Sequence, residues 1–304
     1  MPKYLERSAY HKMLTAKTKL VTIRGREVIE IPPILRAKAD LILGELRSYG
    51  KVMVAFSGGI DSTLILYLAK LELQENAVAA TAKSPSLPSS ELEAAKKLAA
   101  ELKLKQVIVE TDELDDSNYT SNPSNRCYFC KKELTEKLSL LAGKLGIRTI
   151  VDGTNADDLK GHRPGAAALS ERGVKRPLAD AGMTKPEVRE LSRIFELPNS
   201  EKPSMPCLSS RVEYGQEITS EKLLRIERSE RYIRSLIDVK ELRVRDHGNL
   251  ARIELGKDER SLLFDMPTLD KIGEALRGFG YTYVAFDVRG YRTGSMNELL
   301  KIKT

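Results

Sequence analysis

Apolar residues recur along most of this chain in two alternating periods. Between Ile34 and Tyr49 the positions Leu35, Ala39, Ile42, Leu43 and Leu46 share one face of a 3.6-residue period and Gly50 follows, which predicts an amphipathic helix with a glycine stop. KVMVAF (51–56) is instead a continuous apolar run with Gly on both sides, the pattern of a strand buried on both faces of a parallel sheet. TLILYLAKL then predicts a helix, AVAATA (77–82) a strand, and the serine-capped SSELEAAKKLAAELKL (89–104) a helix. QVIVET (106–111) predicts a third strand, KKELTEKLSLLAGKLG (131–146) a helix stopped by Gly146, and RTIVDGT (148–154) a fourth strand. Strands and helices alternating at this spacing form right-handed βαβ units, so the expected fold is α/β with a doubly wound parallel sheet. Thr184 and Glu187 are spaced as a capping box for the helix TKPEVRELSRIF.

The flanks differ from this pattern. Residues 1–33 show no core periodicity before VTIRGREVIEI, which predicts a short hairpin about Arg24-Gly25, and we read them as an accessory segment. After residue 212 the order becomes helix, two strands around His247-Gly248-Asn249, helix and strand. The predicted organisation is therefore 1–33 accessory, 34–212 parallel-sheet domain and 213–304 a smaller α+β domain, which 304 residues accommodate.

Composition narrows the function. With 41% hydrophobic and 31% charged residues the chain is no disordered polymer, and a formal charge of +7 favours anionic ligands without histone-like density. Three cysteines are too few for a disulfide scaffold and point to a reducing cytoplasm. The start MPKYLERSAYHKML lacks an apolar signal region and no apolar stretch approaches ~18 residues, so secretion and membrane insertion are not expected.

The sharpest chemical signal is SGGIDS between a predicted strand and helix. Gly58 and Gly59 let backbone N–H groups approach an anion, Ser57 and Ser62 add hydroxyls, and the helix start adds partial positive charge, which together make a phosphate nest. No lysine stands where a Walker loop needs one, so chemistry at the α-phosphate is favoured over γ-phosphate transfer. A plain Gly-Asp turn is the competing reading. Cys127 and Cys130 form CxxC in NPSNRCYFCKKEL, expected on a loop leading into the helix 131–146, and Cys207 stands alone in KPSMPCLSSR. None of His11, His162 and His247 completes a four-ligand zinc site, whereas three thiolates suit a 4Fe-4S cluster with one iron left open for a ligand such as hydrosulfide. Against this stands the reading of a small buried cysteine and an incidental CxxC. Arg243 and Arg245 alternate on one strand face, fit either to grip a phosphate or to face solvent on an edge strand. The stripe Arg225, Arg228, Arg231 and Arg234 is interrupted by Glu221, Glu227 and Glu230 and reads as a solvated helix face.

Ser57 to Ser62 resembles the PP-loop of the N-type ATP pyrophosphatases. That resemblance implies ATP cleavage to AMP and pyrophosphate with an adenylated acceptor, and a Mg²⁺ ion for which Asp61, Asp157 and Asp158 are candidates; a solvated acidic turn is the alternative for the last two. RCYFCKKEL, GTNADD, HRPGAAALSERGVKRPLADAGMTKPEVRELS, KPSMPCLSSR, LRVRDHGNLARIEL and GYRTGSMNE follow in order, and from about Ile34 to Glu298 the chain resembles the LarE family of ATP-dependent sulfur transferases. The resemblance implies adenylation of a carboxylate of pyridinium-3,5-biscarboxylic acid mononucleotide and its conversion to a thiocarboxylate for the nickel-pincer cofactor. By the same resemblance Cys207 is the sulfur-delivering cysteine, Arg243 and Arg245 hold the substrate phosphate, Arg211 is a further candidate for that job, and Asp61 is catalytic. The three-cysteine pattern matches cluster-type members supplied with sulfide, in place of members that sacrifice one cysteine. A homo-oligomer is implied as well. The rival expectation is a PP-loop tRNA thiolase with a three-cysteine cluster, but the chain lacks an aromatic-rich, strongly basic RNA module, so nucleic acid is not an expected partner.

Overall fold

A computed structural model of the chain describes residues 21–23, 26–28, 31–160, 164–292 and 294–297. Most of the expected accessory segment, including the turn at Arg24-Gly25, lies outside them, as do Gly161 to Arg163 and Thr293. The hairpin strands β1 (Val21–Ile23) and β2 (Arg26–Val28) pair antiparallel as expected. Chain contacts divide the described residues into two compact units. The first takes those of Met1–Lys83, Ser89–Thr111 and Lys131–Met205, and the second Ser84–Pro88, Asp112–Cys130 and Pro206–Thr304.

In the first unit α1 (Pro33–Tyr49) buries Leu35, Ala39, Ile42, Leu43 and Leu46, the face read from its periodicity, and ends at Gly50 with φ +69°. The apolar run that follows becomes β3 (Val52–Ala55). Val52 and Val54 join the cluster on one face of the sheet while Met53 joins the cluster on the other, so a two-residue period is hidden in a sequence that is apolar at every position. Helix α2 (Ile60–Leu73) is buried almost all round, as a helix enclosed by the core must be. Strand β4 (Ala77–Lys83), α3 (Ser89–Glu101) and β5 (Lys105–Glu110) complete one side of the sheet.

Helix α4 (Arg126–Lys144) starts earlier than the expected 131–146 and contains the CxxC, which sequence alone placed on a loop. Arg126 N donates to Pro123 O and Tyr128 N to Asn125 O, winding a first turn ahead of the strongly helical residues. Phe129 and Cys130 pack on an apolar cluster of the second unit, and burial of that kind outweighs the modest helix propensity of the CYFC stretch. Strand β6 (Thr149–Val151), α5 (Pro164–Glu171) and α6 (Lys185–Ile194) finish the first unit, α6 carrying the expected Thr184/Glu187 capping box. The strand order is β5-β4-β3-β6, all parallel. The chain leaves β3 for β4 on one side and returns to β6 on the other, so the C-terminal end of β3 sits at a reversal of strand order, where loops diverge and open a crevice.

The second unit holds α7 (Ser220–Leu236), β7 (Leu242–His247), β8 (Leu250–Leu255), α8 (Met266–Gly278) and β9 (Tyr283–Phe286). Strands β7 and β8 form the expected hairpin and β9 pairs parallel to β8. Ile233, Leu242, Val244, Ile253, Leu276 and Tyr281 make its main core; Tyr119, Leu208, Val212, Ile218, Leu223 and Ile226 make a smaller one. No helix among the described residues is long and apolar enough to cross a membrane.

Candidate functional site

The SGGIDS loop leaves the end of β3 and enters α2. Gly58 has φ +70°, and a Cβ there would stand 3.0 Å from that of Ala95, so both the turn and the packing require glycine. Gly153, just past β6, is equally constrained, since its Cβ would fall 2.6 Å from Ser62 N. The loop is tied internally: Gly59 N donates to Ser57 Oγ at 3.3 Å, Ser62 Oγ to Gly59 O at 3.0 Å, and the buried Asn199 Nδ2 to Gly58 O at 3.1 Å. Ser57 stays exposed. The loop is thereby fixed at a helix start, with the Ser57 and Gly59 N–H groups turned to its own hydroxyls.

Asp61 points its carboxylate at two donors, Asn155 Nδ2 at 3.0 Å and Lys185 Nζ. Lys185 is the first residue of α6, and its backbone N–H donates to Asp157 Oδ2 at 2.8 Å. One lysine therefore joins Asp61 and Asp157, two of the three candidate magnesium ligands. The Asp157 carboxyl is held below the usual carboxylate range by Lys160 Nζ and by that Lys185 N–H. Asp158 is turned to the backbone N–H of Asn155 at 3.2 Å in a capping box. Behind them Asp152 accepts from Thr154 N and Oγ1, and burial pushes its carboxyl up. Magnesium is commonly held by one or two carboxylates and completed by substrate phosphates, and Asp61 with Asp157 fits that donor set. Sequence reading missed Lys185; a lysine directly after the Thr184 cap was the available signal, because it stands where a helix dipole and a side-chain cation add.

The three cysteines all fall in the second unit and none is in a disulfide. Cys127 and Cys130 are three residues apart in the opening turns of α4 and so share a helix face. Cys207 precedes the 3₁₀ turn Leu208–Arg211. Two of the cysteines, Cys207 and Cys130, act on the buried Tyr119, whose phenol is pushed up by burial first, next by Cys207, and further by Cys130 and Glu113. Tyr119 Oη meets Ser209 Oγ at 2.5 Å, Leu208 N donates to Ser86 O at 2.8 Å, and the buried Glu113 accepts from the Ser84 and Ser86 hydroxyls. Among the described residues no three His, Cys, Asp or Glu side chains gather closely enough for a single metal ion. A four-iron cube spreads its thiolates wider than one ion does. Thiols outside any disulfide, on two segments of one unit, suit such a cluster in donor chemistry.

Arg211, Arg243 and Arg245 are all buried, at 0%, 4% and 5% exposure, so none is a solvent-facing edge-strand arginine. Arg211 grips Glu230 through Nε at 3.0 Å and Nη2 at 3.1 Å, and its Nη1 donates to Pro206 O and, at 2.8 Å, to Cys207 O. Glu230 Oε1 also accepts from Val244 N at 3.1 Å. A continuous chain of hydrogen bonds, buried from Arg211 onward, thus links the Cys207 backbone to the strand that carries the other two arginines. Arg245 donates from Nε to Glu254 at 2.9 Å and from Nη1 to Ser210 O at 3.1 Å. Arg243 lies 5.1 Å from the centre of the Tyr291 ring, and burial followed by the charge of Arg211 pushes its guanidinium below the usual value, a strain that a bound anion would relieve. Removing one partner of the Arg211–Glu230 pair leaves a buried charge, so Arg211→Ala is expected to lose about 3–5 kcal/mol of stability, read by denaturant unfolding. An unchanged midpoint would contradict this role. Arg225, expected on a solvated face, instead pairs with Asp246 at 2.7 Å and covers the Tyr281 ring.

A parallel sheet with this loop at its switch point defines a PP-loop domain, and residues 42–124 match the family described as asparagine synthase. Over 269 residues the chain is 34% identical to the pyridinium-3,5-bisthiocarboxylic acid mononucleotide synthase of Lactiplantibacillus plantarum, covering 88% of this chain and 96% of that protein. The chain belongs to the family of that synthase, the LarE family. It is also 45% identical to an uncharacterised protein of Synechocystis, across 88% of this chain and 99% of the other, and 32% identical to one of Methanocaldococcus jannaschii, across 80% and 91%.

Proposed function

We propose that this protein is an ATP-dependent sulfur transferase that converts a carboxylate of pyridinium-3,5-biscarboxylic acid mononucleotide to a thiocarboxylate for nickel-pincer cofactor synthesis. The observation that carries this reading is the chain of hydrogen bonds from Cys207 through Arg211 and Glu230 to the strand of Arg243 and Arg245, which joins a sulfur-bearing residue to two buried arginines within one compact unit. The nucleotide half of the reaction follows from the PP-loop. Its N–H groups and hydroxyls hold the ATP phosphates, while Asp61 and Asp157 hold Mg²⁺ against them and Lys185 moves from Asp61 to phosphate. The substrate carboxylate oxygen attacks the α-phosphorus, the α–β bond breaks and pyrophosphate leaves. A sulfur nucleophile then attacks the acyl carbon, and AMP leaves with the original oxygen. Cys127, Cys130 and Cys207 hold a 4Fe-4S cluster in this reading, which supplies when bound one iron without a protein ligand as a place for hydrosulfide.

Arg243 takes the substrate phosphate, with Arg245 bracing the site through Glu254 and Ser210. Arg243→Ala is expected to weaken mononucleotide binding by about 1.5–3 kcal/mol while leaving ATP binding unchanged, measured by calorimetry. Equal affinity in both proteins would place the phosphate elsewhere. A homo-oligomer belongs to the same reading, and a monomeric mass by light scattering would remove it.

A further inference from the structure

The peptide that joins Gly58 to Gly59 is the one in the chain with glycine on both sides. Glycine gives the loop its turn, but it also removes the Cβ contacts that would stop this peptide plane from turning over. The C=O and N–H of a trans peptide point in opposite directions. As the loop stands, Gly59 N faces Ser57 Oγ at 3.3 Å, a long contact to an exposed side chain that a phosphate oxygen can replace. With the plane turned over, the Gly58 oxygen would stand on that side and repel a phosphate. The Gly59 carbonyl is tied from within, by Thr63 N at 3.0 Å, Thr63 Oγ1 at 2.8 Å and Ser62 Oγ at 3.0 Å. The Gly58 carbonyl is held from outside the loop, by Asn199 Nδ2 at 3.1 Å, and the same nitrogen gives its second hydrogen to Thr63 Oγ1 at 2.9 Å. Asn199 belongs to the same unit and sits in a tight turn beyond α6. There Glu196 takes φ +53°, Glu196 N donates to Arg193 O and Leu197 N to Ser192 O, each at 2.9 Å, and Lys202 N returns to Asn199 O at 3.0 Å. Asn199 is 9% exposed, and its Oδ1 has no partner among the described residues. Turning the amide over would only set Oδ1 against the Gly58 oxygen, acceptor to acceptor. A buried acceptor left unpaired is a cost, and it is kept here at a residue whose two hydrogens both serve the loop.

We propose that Asn199 is a positioning residue of the nucleotide site: by holding the Gly58 carbonyl it keeps the Gly58–Gly59 peptide turned with its N–H towards the ATP phosphates. The inference rests on the ATP-binding half of the reading given above and is independent of how sulfur arrives. Asn199 touches neither ATP nor magnesium and acts through the loop alone. The glycines that let backbone donors approach an anion therefore need a partner elsewhere in the fold to fix which way those donors face.

The test is of binding and uses the full chain with Asn199→Ala and Asn199→Asp. Dissociation constants for ATP with Mg²⁺, and for adenosine, which carries no phosphate, are measured by calorimetry at neutral pH. Asn199→Ala is expected to weaken ATP about tenfold and to leave adenosine unchanged. Asn199→Asp fills the same volume but sets carboxylate oxygens against the Gly58 carbonyl, so it is expected to weaken ATP by more than Ala does, again without effect on adenosine. A side chain that served packing alone would give the opposite order, with the isosteric Asp nearer the unmutated protein, and that order overturns the proposal. So does an ATP constant unchanged in Asn199→Ala, or a loss shared equally by ATP and adenosine. Should the Asp variant not fold, the ratio of the two constants in Asn199→Ala decides. An unmutated protein that binds no ATP would instead refute the nucleotide reading itself and take the role of Asn199 with it.

Discussion

Replacing any one of Cys127, Cys130 or Cys207 by Ala is expected to abolish the iron centre and, with it, repeated turnover. The unmutated protein, reconstituted without oxygen, should be brown, hold about four irons per chain and thiolate substrate many times over when sulfide is supplied. The expectation follows from how the residues are held. Cys127 and Cys130 share one face at the start of α4, Cys207 is fixed by Arg211 through its own carbonyl, and the buried Tyr119 feels both Cys207 and Cys130. A protein that spent the sulfur of Cys207 needs none of the other two thiols. One turnover only, with Cys207 converted to dehydroalanine and the Cys127 and Cys130 variants still active, would therefore refute the cluster and return the chemistry to a sacrificial cysteine.

Asp61→Asn is expected to cut substrate-dependent pyrophosphate release by about a hundredfold or more, with the fold intact. Asp61 and Lys185 are partly exposed, and an ion pair of that kind contributes about 1 kcal/mol or less to stability, so the loss falls on chemistry. The neutral amide still accepts from one neighbour but no longer offers a charged oxygen to magnesium. Circular dichroism and unfolding midpoints should match the unmutated protein. Full pyrophosphate release by the variant would remove Asp61 from the catalytic set.

Much of this architecture was legible from local pattern because local rules decide it. The run KVMVAF, the stop at Gly50, the SGGIDS loop and the Thr184/Glu187 box each depend on neighbours within a few residues, and each appears in the fold. The partnerships were not legible. Asp61 meets Lys185, and Arg211 meets Glu230, across stretches of chain that the sheet and α7 bring together, and no spacing rule announces such pairs. The start of α4 was missed for a related reason. Cys127 and Cys130 lie in a stretch of modest helix propensity, and it is the packing of Phe129 and Cys130 on Tyr119 and Leu208 that draws the helix back to Arg126.

The central claim is tested most directly by mass spectrometry of the small-molecule products after anaerobic incubation of the reconstituted protein with ATP, sulfide and pyridinium-3,5-biscarboxylic acid mononucleotide. The account predicts that one carboxylate oxygen is replaced by sulfur and that AMP and pyrophosphate form in step with the replacement. An unchanged mononucleotide, or ADP and inorganic phosphate in place of AMP and pyrophosphate, would contradict it; sulfur found in tRNA instead would assign the protein to the thiolation enzymes.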